Sequence, residues 1–277
     1  MDDDDSDVIN SLDQDSDLVV ELADALREAE RARAPIAQPS AAHPDLDIAT
    51  AYRVQRRNLQ RRLSLGENII GHKIGLTSLA MQRQLGVDQP DYGAILDTMV
   101  VPNRGTLCTE LLISPRIEAE FAFSIGADLP LSPTREELIR SIDGVAVSLE
   151  IIDSRVADWT IGLVDTIADN ASSARIVYGE FVPPTSGLLA SLPDTVISLA
   201  HNGNELGSGP GSAVLGDPLT SLLWLAQAIG AHGDHFFKGQ IILAGAVSAA
   251  LALTPDSRWT ATADGFPTAT LRTVEKD

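Results

Sequence analysis

The sequence predicts an α+β protein, and three observations support this class. Segments whose apolar residues recur at helical spacing are few. Short strand-like segments separated by turn residues fill the last third of the chain. Helices and strands do not alternate regularly, which argues against a doubly wound sheet and against a β/α-barrel.

The composition separates an acidic lead from the rest of the chain. Residues 1–16 contain seven aspartates and are predicted to be disordered. The chain of 277 residues is 44% hydrophobic, which is ample material for a core. This length allows one large domain or two ordinary ones, with predicted helices at 17–62 and mostly predicted strands at 68–277.

The N-terminal half begins with helices. Apolar residues at Leu18, Leu22 and Leu26 predict an amphipathic helix over 17–33, and 34–40 is a linker. Asp47 is placed to cap a second helix that runs to about residue 62. The predicted elements that follow are a strand at 68–76, a helix at 78–85, a turn at 90–93, strands at 98–101, 116–125, 144–152 and 174–178, and a helix at 134–141.

The C-terminal third is predicted to be mostly β-structure around one helix. Asn202-Gly203 is a strong two-residue turn signal and predicts a hairpin of strands 195–201 and 204–208. Asp217-Pro218 opens a helix that extends to about residue 229, with proline at the tolerated first turn. Strands are expected at 240–244, 247–253, 258–263 and 268–273.

Charge and composition exclude several classes of partner. A net charge of −19 argues against nucleic acid, because phosphate binding needs basic patches. No apolar run is long enough to span a bilayer, so no membrane partner is expected. The N-terminus is acidic where a secretory signal would be basic and then apolar, and the single cysteine, Cys108, suits a reducing compartment. We therefore expect a cytoplasmic protein.

Two glutamates in the predicted strand 116–125 are the first candidate site. Glu118 and Glu120 are two residues apart, so their side chains share one face of the strand, with the small residues Ala122 and Ser124 beside them. A hard divalent cation such as Mg²⁺ or Mn²⁺ would relieve the repulsion of two such carboxylates. The alternative is a solvated strand face, which is the more frequent explanation of an isolated pair.

A third carboxylate, Glu150, is the only charge in the apolar strand 144–152. A glutamate in such a strand is costly unless a partner satisfies it. Three strand carboxylates that meet at one point would supply half of an octahedral oxygen site. The alternative is a salt bridge to Arg155 or Arg116, and the sequence leaves both interpretations open.

Lys73 is placed in a strand between two glycines. Strand alternation puts it on the same face as Gly71 and Gly75, so that face carries no neighbouring side chains. A lysine there would hold a bound anion or transfer a proton, or it would simply pair with a core carboxylate. The polar segment 153–173 suits either a ligand-lining loop or a plain surface loop, and composition favours the plain loop.

Six segments together resemble a known family. They are GHKIGLTSLAMQRQLGVDQPDYGAILDTM (71–99), PRIEAEFAF (115–123), SLEIIDSRVADW (148–159), VDTIADNASS (164–173), LGDPLTSLLWLA (215–226) and GQIILAGAV (239–247). In this order they resemble the 2-hydroxypenta-2,4-dienoate (2-keto-4-pentenoate) hydratases of the fumarylacetoacetate hydrolase superfamily. The resemblance extends from about residue 20 to the end.

The resemblance implies a fold, a cofactor and an assembly. The fold is the mixed-sheet β-roll of the fumarylacetoacetate hydrolase C-terminal type with peripheral helices, so that 17–277 becomes one catalytic domain with a β-roll core at 68–277. The chain would form a homo-oligomer. Mg²⁺ or Mn²⁺ would be held by the glutamates that match Glu118, Glu120 and Glu150. Lys73 matches the active-site lysine, and Ser172 matches a hydroxyl that contacts the substrate.

One position departs from the family pattern. Hydratases that resemble this chain often carry an acidic residue just before the methionine that matches Met99, whereas this chain has Asp97-Thr98-Met99. The displaced acid makes Asp97 a candidate catalytic residue. Asp91, in the predicted turn, is a second candidate acid with a structural role as its alternative.

The implied reaction is the hydration of 2-hydroxypenta-2,4-dienoate, or a close homologue, to 4-hydroxy-2-oxopentanoate in the meta-cleavage catabolism of aromatic compounds. Such an enzyme is a hydro-lyase whose partner is a small 2-oxo or 2-hydroxy dienoic acid. The related alternative is a 4-oxalocrotonate decarboxylase, and the non-enzymatic alternative is an assembly partner of such an enzyme. Association with the aldolase or decarboxylase of the pathway is also implied. The sequence shows no extra basic residue for a second substrate carboxylate.

Overall fold

The computed structural model describes residues 15–78, 82, 87 and 89–276. The predicted helix at 78–85 and the predicted acidic lead lie almost entirely outside these residues. The described helices are α1 (Asp17–Ala32), α2 (Pro39–Ala42), α3 (Ile48–Ser64), α4 (Arg135–Ser141), α5 (Leu163–Ala168), α6 (Ser186–Ser191) and α7 (Pro218–Gly230). None of them is long and apolar enough to cross a membrane.

Twelve strands are described, and most of the predicted ones are among them. They are β1 (Ile69–Gly75), β2 (Asp91–Leu96), β3 (Thr106–Cys108), β4 (Arg116–Ile125), β5 (Ile142–Ile152), β6 (Ser173–Tyr178), β7 (Val196–His201), β8 (Asn204–Pro210), β9 (Ile241–Ala246), β10 (Leu251–Ala252), β11 (Ser257–Thr262) and β12 (Ala269–Val274). The hairpin of β7 and β8 turns at Asn202-Gly203, as predicted.

The strands form two mixed sheets. The first has the order β2-β1-β9-β4-β5-β6, with β10 paired to β4, and the second has the order β3-β12-β11-β7-β8. Within the first sheet β9 runs parallel to β1 and antiparallel to β4. Within the second sheet β3 runs parallel to β12. This arrangement confirms the predicted α+β class with mixed sheets.

The main core lies between the two sheets. On β4 the alternating residues Ile117, Phe121 and Phe123 are fully buried, and they belong to the same apolar cluster as Trp259 and Leu271 of the second sheet. Burial of each large apolar side chain contributes on the order of 2 kcal/mol to folding. Because one face of β4 is committed to this core, its glutamates must lie on the opposite face.

The N-terminal helices form a second apolar cluster over the polar segment 153–173. Val19 and Leu22 of α1, Val54 of α3 and Ile167 of α5 are buried together. Asp47 caps α3 by accepting a hydrogen bond from the N–H of Thr50 at 2.7 Å, as predicted. These helices therefore cover one side of the segment 153–173.

The preference for a plain surface loop at 153–173 is wrong. This segment contains α5, and Asp165 is fully buried. Its carboxylate accepts hydrogen bonds from the N–H groups of Gly162 at 2.8 Å and Ser40 at 2.7 Å. The polar side chains therefore satisfy main-chain donors inside the protein instead of meeting water.

Two further local predictions are wrong between residues 90 and 101. The predicted turn at 90–93 is instead the start of β2, where Gly93 fits because a side chain there would overlap the main-chain oxygen of Asn170. The predicted strand at 98–101 begins as the 3₁₀ turn Asp97–Met99 and ends in an isolated bridge from Val100 to Ile176. The sequence also missed β3 and α6, and the predicted strand at 247–253 shortens to β10.

His72, on the face of β1 opposite Lys73, is buried and packs near Phe236, with ring centroids 6.3 Å apart. Burial lowers its pKa to about 4, with a smaller opposing effect of Asp234. The neutral form is therefore the form that fits the fold.

We expect His72→Leu to reduce the loss of stability on acidification. Between pH 6.5 and pH 4 the unfolded chain binds a proton at His72 that the folded protein excludes, so stability falls as the pH falls. At pH 5 the contribution is on the order of 2 kcal/mol. Denaturant unfolding at pH 7 and pH 5 measures it, with the exposed His232→Leu as control. Equal acid losses in wild type and His72→Leu would contradict this account.

Candidate active site

Three glutamates of the first sheet meet at one point. Glu118 and Glu150 are opposite each other on β4 and β5, and Glu120 lies two residues further along β4 on the same face. One carboxylate oxygen from each lies within 4.8 Å of the other two. We call Glu118, Glu120 and Glu150 the glutamate triad. Glu120 and Glu150 are buried, so the alternative of a solvated strand face is wrong.

Burial and mutual repulsion make the triad unfavourable by itself. Burial raises the pKa of Glu118 to about 7, against the opposing effect of Lys73. Burial, with repulsion from its two partners, also raises the pKa of Glu120 well above its usual range. Burial is again the main cause that raises the pKa of Glu150. Such a cluster is stabilised by positive charge brought to the same place.

Lys73 supplies one such positive charge. Its Nζ lies 3.4 Å from Oε1 of Glu150 and donates a hydrogen bond to the main-chain oxygen of Ala171 at 2.9 Å. Burial alone would lower the pKa of Lys73, but the triad and Asp91 outweigh it and hold the pKa above its usual range. Glu150 therefore pairs with this lysine and not with Arg155 or Arg116. Arg155 pairs instead with Asp169.

Asp91, the first residue of β2, is beside Lys73. It is buried, and neither carboxylate oxygen has a hydrogen-bond partner among the described residues. A side chain at Gly75, its neighbour on β1, would overlap Oδ1 of Asp91 and would lie 3.6 Å from Nζ of Lys73. The bare glycine therefore leaves the space in which the acid and the ammonium group face each other. Burial raises the pKa of Asp91, against the effect of Lys73.

Ser172 is brought to the same cavity by an unusual turn. Asn170, Ala171 and Ser172 all have positive φ, between 50° and 55°, which costs about 1 kcal/mol or more for each non-glycine residue. The side chain of Asn170 stabilises the turn by a hydrogen bond to the N–H of Ala94 at 2.8 Å and another to its oxygen at 2.9 Å. The turn presents the oxygen of Ala171 to Lys73.

Glu120 is fixed by a glycine of β9. The N–H of Gly245 donates a hydrogen bond to Oε2 of Glu120 at 2.8 Å. Gly245 has a φ of 113°, a conformation that other residues rarely adopt, and a side chain there would overlap Thr77. This glycine was within the segments that carry the family resemblance, but its role depends on contacts that a sequence does not show.

Asp97 is not brought to the site. It lies just past the far end of β2, six residues from Asp91, and its side chain is exposed. It accepts hydrogen bonds from the N–H of Asn68 at 3.2 Å and from that of Thr98 at 2.9 Å. Hydrogen bonds from Asn68 lower its pKa. The structure therefore gives Asp97 a place in a turn, away from the triad.

The site opens into a cavity of about 400 Å³. Lys73, Asp91, Ser172 and two members of the triad line it, together with Trp159. Arg116 also lines it, whereas the sequence indicates Arg116 only as an alternative partner for Glu150. Strand alternation alone places Arg116 on the face of Glu118, so this was the signal that could have found it.

The residues present fit a divalent cation. Although Oε1 of Glu150 lies 3.4 Å from Nζ of Lys73, neither carboxylate oxygen accepts a close hydrogen bond from a described residue, so lone pairs remain for a ligand bond. Three carboxylates supply only oxygen ligands, which hard cations such as Mg²⁺ prefer. The fold and the site together define a class of protein: a mixed-sheet protein whose cavity brings a lysine beside three carboxylates that could hold a divalent cation.

Comparison with known proteins gives the family within this class. A 2-keto-4-pentenoate hydratase from Paraburkholderia xenovorans is 41% identical over 236 residues, which cover 85% of this chain and 87% of that protein. A 2-hydroxyhexa-2,4-dienoate hydratase from Comamonas testosteroni is 36% identical, with 92% and 95% covered. No protein-family model matches the chain. The chain belongs to the 2-keto-4-pentenoate hydratase family.

A solved structure confirms the fold. The 4-oxalocrotonate decarboxylase from Pseudomonas putida, in complex with magnesium and adipate, superimposes with a TM-score of 0.87 at 32% identity. The match covers 92% of this chain and 97% of the decarboxylase. The predicted mixed-sheet fold is therefore confirmed.

Proposed function

We propose that this protein is a metal-dependent hydratase that adds water to 2-hydroxypenta-2,4-dienoate, or a close homologue, and forms 4-hydroxy-2-oxopentanoate. The observation that carries the proposal is the buried triad with Lys73 and Asp91 on one face of the sheet. The 41% identity to a 2-keto-4-pentenoate hydratase supports the choice of reaction. The meta-cleavage catabolism of aromatic compounds is the corresponding physiological setting.

The proposed reaction has two steps. The dienol first becomes its keto form by gaining a proton at C5, which gives an α,β-unsaturated 2-oxo acid. Water then adds at C4. A divalent cation held by the triad would act as a Lewis acid that stabilises negative charge on the substrate's 2-oxygen in both steps.

Lys73 and Asp91 are the proposed proton-transfer groups. The ammonium group of Lys73 is fixed by Glu150 and by the oxygen of Ala171, so it is held at the metal-binding end of the cavity. Asp91 has two buried oxygens without hydrogen-bond donors, so it is able to accept a proton from the substrate hydroxyl or from the attacking water. Oδ1 of Asp91 and Nζ of Lys73 border the same space above Gly75. Their opposite charges therefore stabilise each other.

Ser172 is proposed as a substrate-binding residue. Its hydroxyl lines the cavity and now donates to Oδ2 of Asp169 at 3.2 Å, a long hydrogen bond that a substrate oxygen would replace. The strained turn keeps this hydroxyl next to the oxygen that holds Lys73. Asp97 has no part in the proposed chemistry, because it lies in an exposed turn at the other end of β2.

Decarboxylation is the second candidate reaction. The decarboxylase with a TM-score of 0.87 favours it, because loss of CO₂ from a 2-oxo acid leaves an enolate that the same site would stabilise. The third alternative, a non-catalytic assembly partner, predicts that Mg²⁺ does not bind in a calorimetric titration.

The deciding experiment supplies two substrates in the presence of Mg²⁺. We expect 2-hydroxypenta-2,4-dienoate to lose its ultraviolet absorbance without release of CO₂, which indicates hydration. CO₂ released from 2-oxo-3-hexenedioate, with no turnover of the first substrate, would instead establish the decarboxylase. Mn²⁺ in place of Mg²⁺ shows whether both cations support the reaction.

Four further elements complete the proposal. We propose that residues 17–277 act as one catalytic domain behind an acidic lead, and that the protein works in the cytoplasm. We also propose a homo-oligomer, which sedimentation of the purified protein tests. Association with the pathway's aldolase or decarboxylase is a last proposal, which co-purification of the two proteins tests.

A further inference from the structure

Arg155 and Asp169 form a buried ion pair that the proposed reaction does not use. Both side chains are almost fully buried, and Nε of Arg155 donates a hydrogen bond to Oδ1 of Asp169. Taking two charges out of water costs about as much as their attraction returns, so a buried pair contributes little net stability. The contacts of this pair indicate a different role.

The guanidinium of Arg155 spans the two ends of the strained turn at 170–172. One of its amino groups donates to the main-chain oxygen of Asp169, before the turn. The other donates to the main-chain oxygen of Ser173, after the turn, at 3.3 Å. A planar guanidinium offers such donors in a fixed geometry, which the single ammonium group of a lysine does not. Arg155 therefore fastens both ends of a turn whose three residues all have positive φ.

The carboxylate of Asp169 is connected to the active site through Ser172. Its Oδ2 accepts a hydrogen bond from the hydroxyl of Ser172 at 3.2 Å and another from the main-chain N–H of Arg155 at 3.1 Å. The same turn presents the oxygen of Ala171 to Nζ of Lys73 at 2.9 Å. The shape of the turn therefore sets the positions of two groups that the proposed reaction needs, the Ser172 hydroxyl and the Lys73 ammonium group.

The turn is a wall between two cavities. Ala171 and Ser172 line the active-site cavity. Arg155 and Asp169 line another cavity, of about 310 Å³, between the turn and the helices α1 and α3. Because exposed side chains of α1 such as Arg27 also line this second cavity, it is open to solvent. A small cation can therefore reach the place of the guanidinium without passing through the active site.

We propose that Arg155 and Asp169 are positioning residues of the active site. Together they hold the strained turn in the shape that aligns the Ser172 hydroxyl and the Lys73 ammonium group with the substrate. This inference rests on the proposed function, in which Ser172 binds the substrate and Lys73 transfers a proton. Loss of the guanidinium should therefore raise KM through Ser172 and lower kcat through Lys73, while the triad keeps its affinity for Mg²⁺.

Arg155→Lys is the first test. Lysine keeps a positive charge beside Asp169 but does not bridge both ends of the turn, so the variant should fold, as thermal unfolding measures, and should bind Mg²⁺ like wild type. We expect kcat/KM for the hydration of 2-hydroxypenta-2,4-dienoate to fall roughly ten- to a hundredfold, as is usual when a partner that orients an active-site group is removed. A folded Arg155→Lys protein with the kcat/KM of wild type would overturn the proposal.

Chemical rescue separates positioning from a general structural role. Arg155→Ala leaves a space beside the second cavity, so guanidinium chloride at millimolar, non-denaturing concentration should raise its kcat/KM at least roughly tenfold. Ammonium chloride should not, because it lacks the planar fork. Arg155→Ala combined with Asp169→Asn should not be rescued, because the carboxylate that binds the ion is gone. Absence of rescue in a folded Arg155→Ala protein would overturn the proposal, and if that variant does not fold, Arg155→Lys decides.

Arg175→Ala is the matched control. Arg175 is a half-buried arginine of β6 that donates to the oxygen of the adjacent Ala174 at 2.7 Å. The variant should keep the kcat/KM of wild type and should not respond to guanidinium. An equal loss in Arg175→Ala would overturn the proposal, because the effect would then follow from the removal of any half-buried arginine.

A binding measurement distinguishes this inference from the proposed function. Calorimetry of 2-oxopentanoate with the Mg²⁺-loaded protein needs no turnover, because this acid has no double bond to hydrate. If wild type hydrates no dienoate but Arg155→Lys binds 2-oxopentanoate more weakly than wild type does, the proposed function fails and the positioning role stands. If wild type hydrates the dienoate and Arg155→Lys changes neither kcat/KM nor this affinity, only the positioning role fails.

Discussion

Glu118→Gln is expected to lower the rate of hydration at least roughly a thousandfold and to abolish measurable Mg²⁺ binding. Glutamine has the shape of glutamate but not its charge, so the triad loses one of its three anionic oxygen ligands. Without that ligand the charge on the substrate's 2-oxygen is not stabilised. Loss of ultraviolet absorbance measures the rate, and calorimetry measures the binding of Mg²⁺.

The same substitution should not unfold the metal-free protein. Glu118 has a pKa of about 7 in the folded state, above its value in the unfolded chain. The ionised carboxylate of Glu118 therefore destabilises the folded protein. The free energy of unfolding falls as the pH rises from about 4.5 to 7. At pH 8 the metal-free Glu118→Gln protein should consequently be at least as stable as wild type.

Glu110→Gln is the matched control, because Glu110 is an exposed glutamate outside the cavity. It should retain both Mg²⁺ binding and activity. An active Glu118→Gln protein that works without metal would reject the proposed site. A Glu118→Gln protein that is inactive because it does not fold would show no thermal unfolding transition. That result would contradict the expectation that the metal-free variant is at least as stable as wild type.

Lys73→Met is expected to destabilise the metal-free protein by about 3–5 kcal/mol, because it leaves Glu150 as an uncompensated buried charge. Methionine has a similar length and keeps the apolar contacts of the lysine stem. Activity should fall at least roughly a hundredfold, since the proposed proton donor is gone. Denaturant unfolding measures the stability, and the absorbance assay measures the rate.

Mg²⁺ separates this account from a simple packing defect. A cation at the triad replaces part of the lost positive charge, so Mg²⁺ should restore stability to Lys73→Met by more than it adds to wild type. Lys238→Met, at an exposed position, should show neither effect. A loss below about 1 kcal/mol that Mg²⁺ leaves unchanged would mean that Glu150 does not depend on Lys73.

The sequence was most informative where a complete alternating pattern was present. The strand predicted at 116–125 has the bounds of β4, because five apolar residues at every second position commit one face to the core. The same alternation placed Glu118 and Glu120 together. Their meeting with Glu150 depends on the register of β4 with β5, which the sequence left open and the structure provides.

The parts that the sequence missed depend on distant partners. Residues 90–93 are typical of a turn, but they begin β2 because β1 pairs with them and the side chain of Asn170 bonds Ala94. Strand alternation puts Arg116 on the face of Glu118, a signal that the sequence-based prediction missed. Its position beside Trp159 depends on a bent loop from 43 positions along the chain. Local propensity carries no information on either contact.

The position of β9 has a consequence for how the site is made. Although its residues, Ile241–Ala246, come late in a chain of 277, β9 lies between β1 and β4. Lys73 and the triad are thus joined through a strand that the ribosome produces after both of them. The N–H that holds Glu120 arrives with the same strand. A nascent chain therefore carries all three glutamates of the triad long before it can join them to Lys73, and translation that stops before residue 241 yields no finished site.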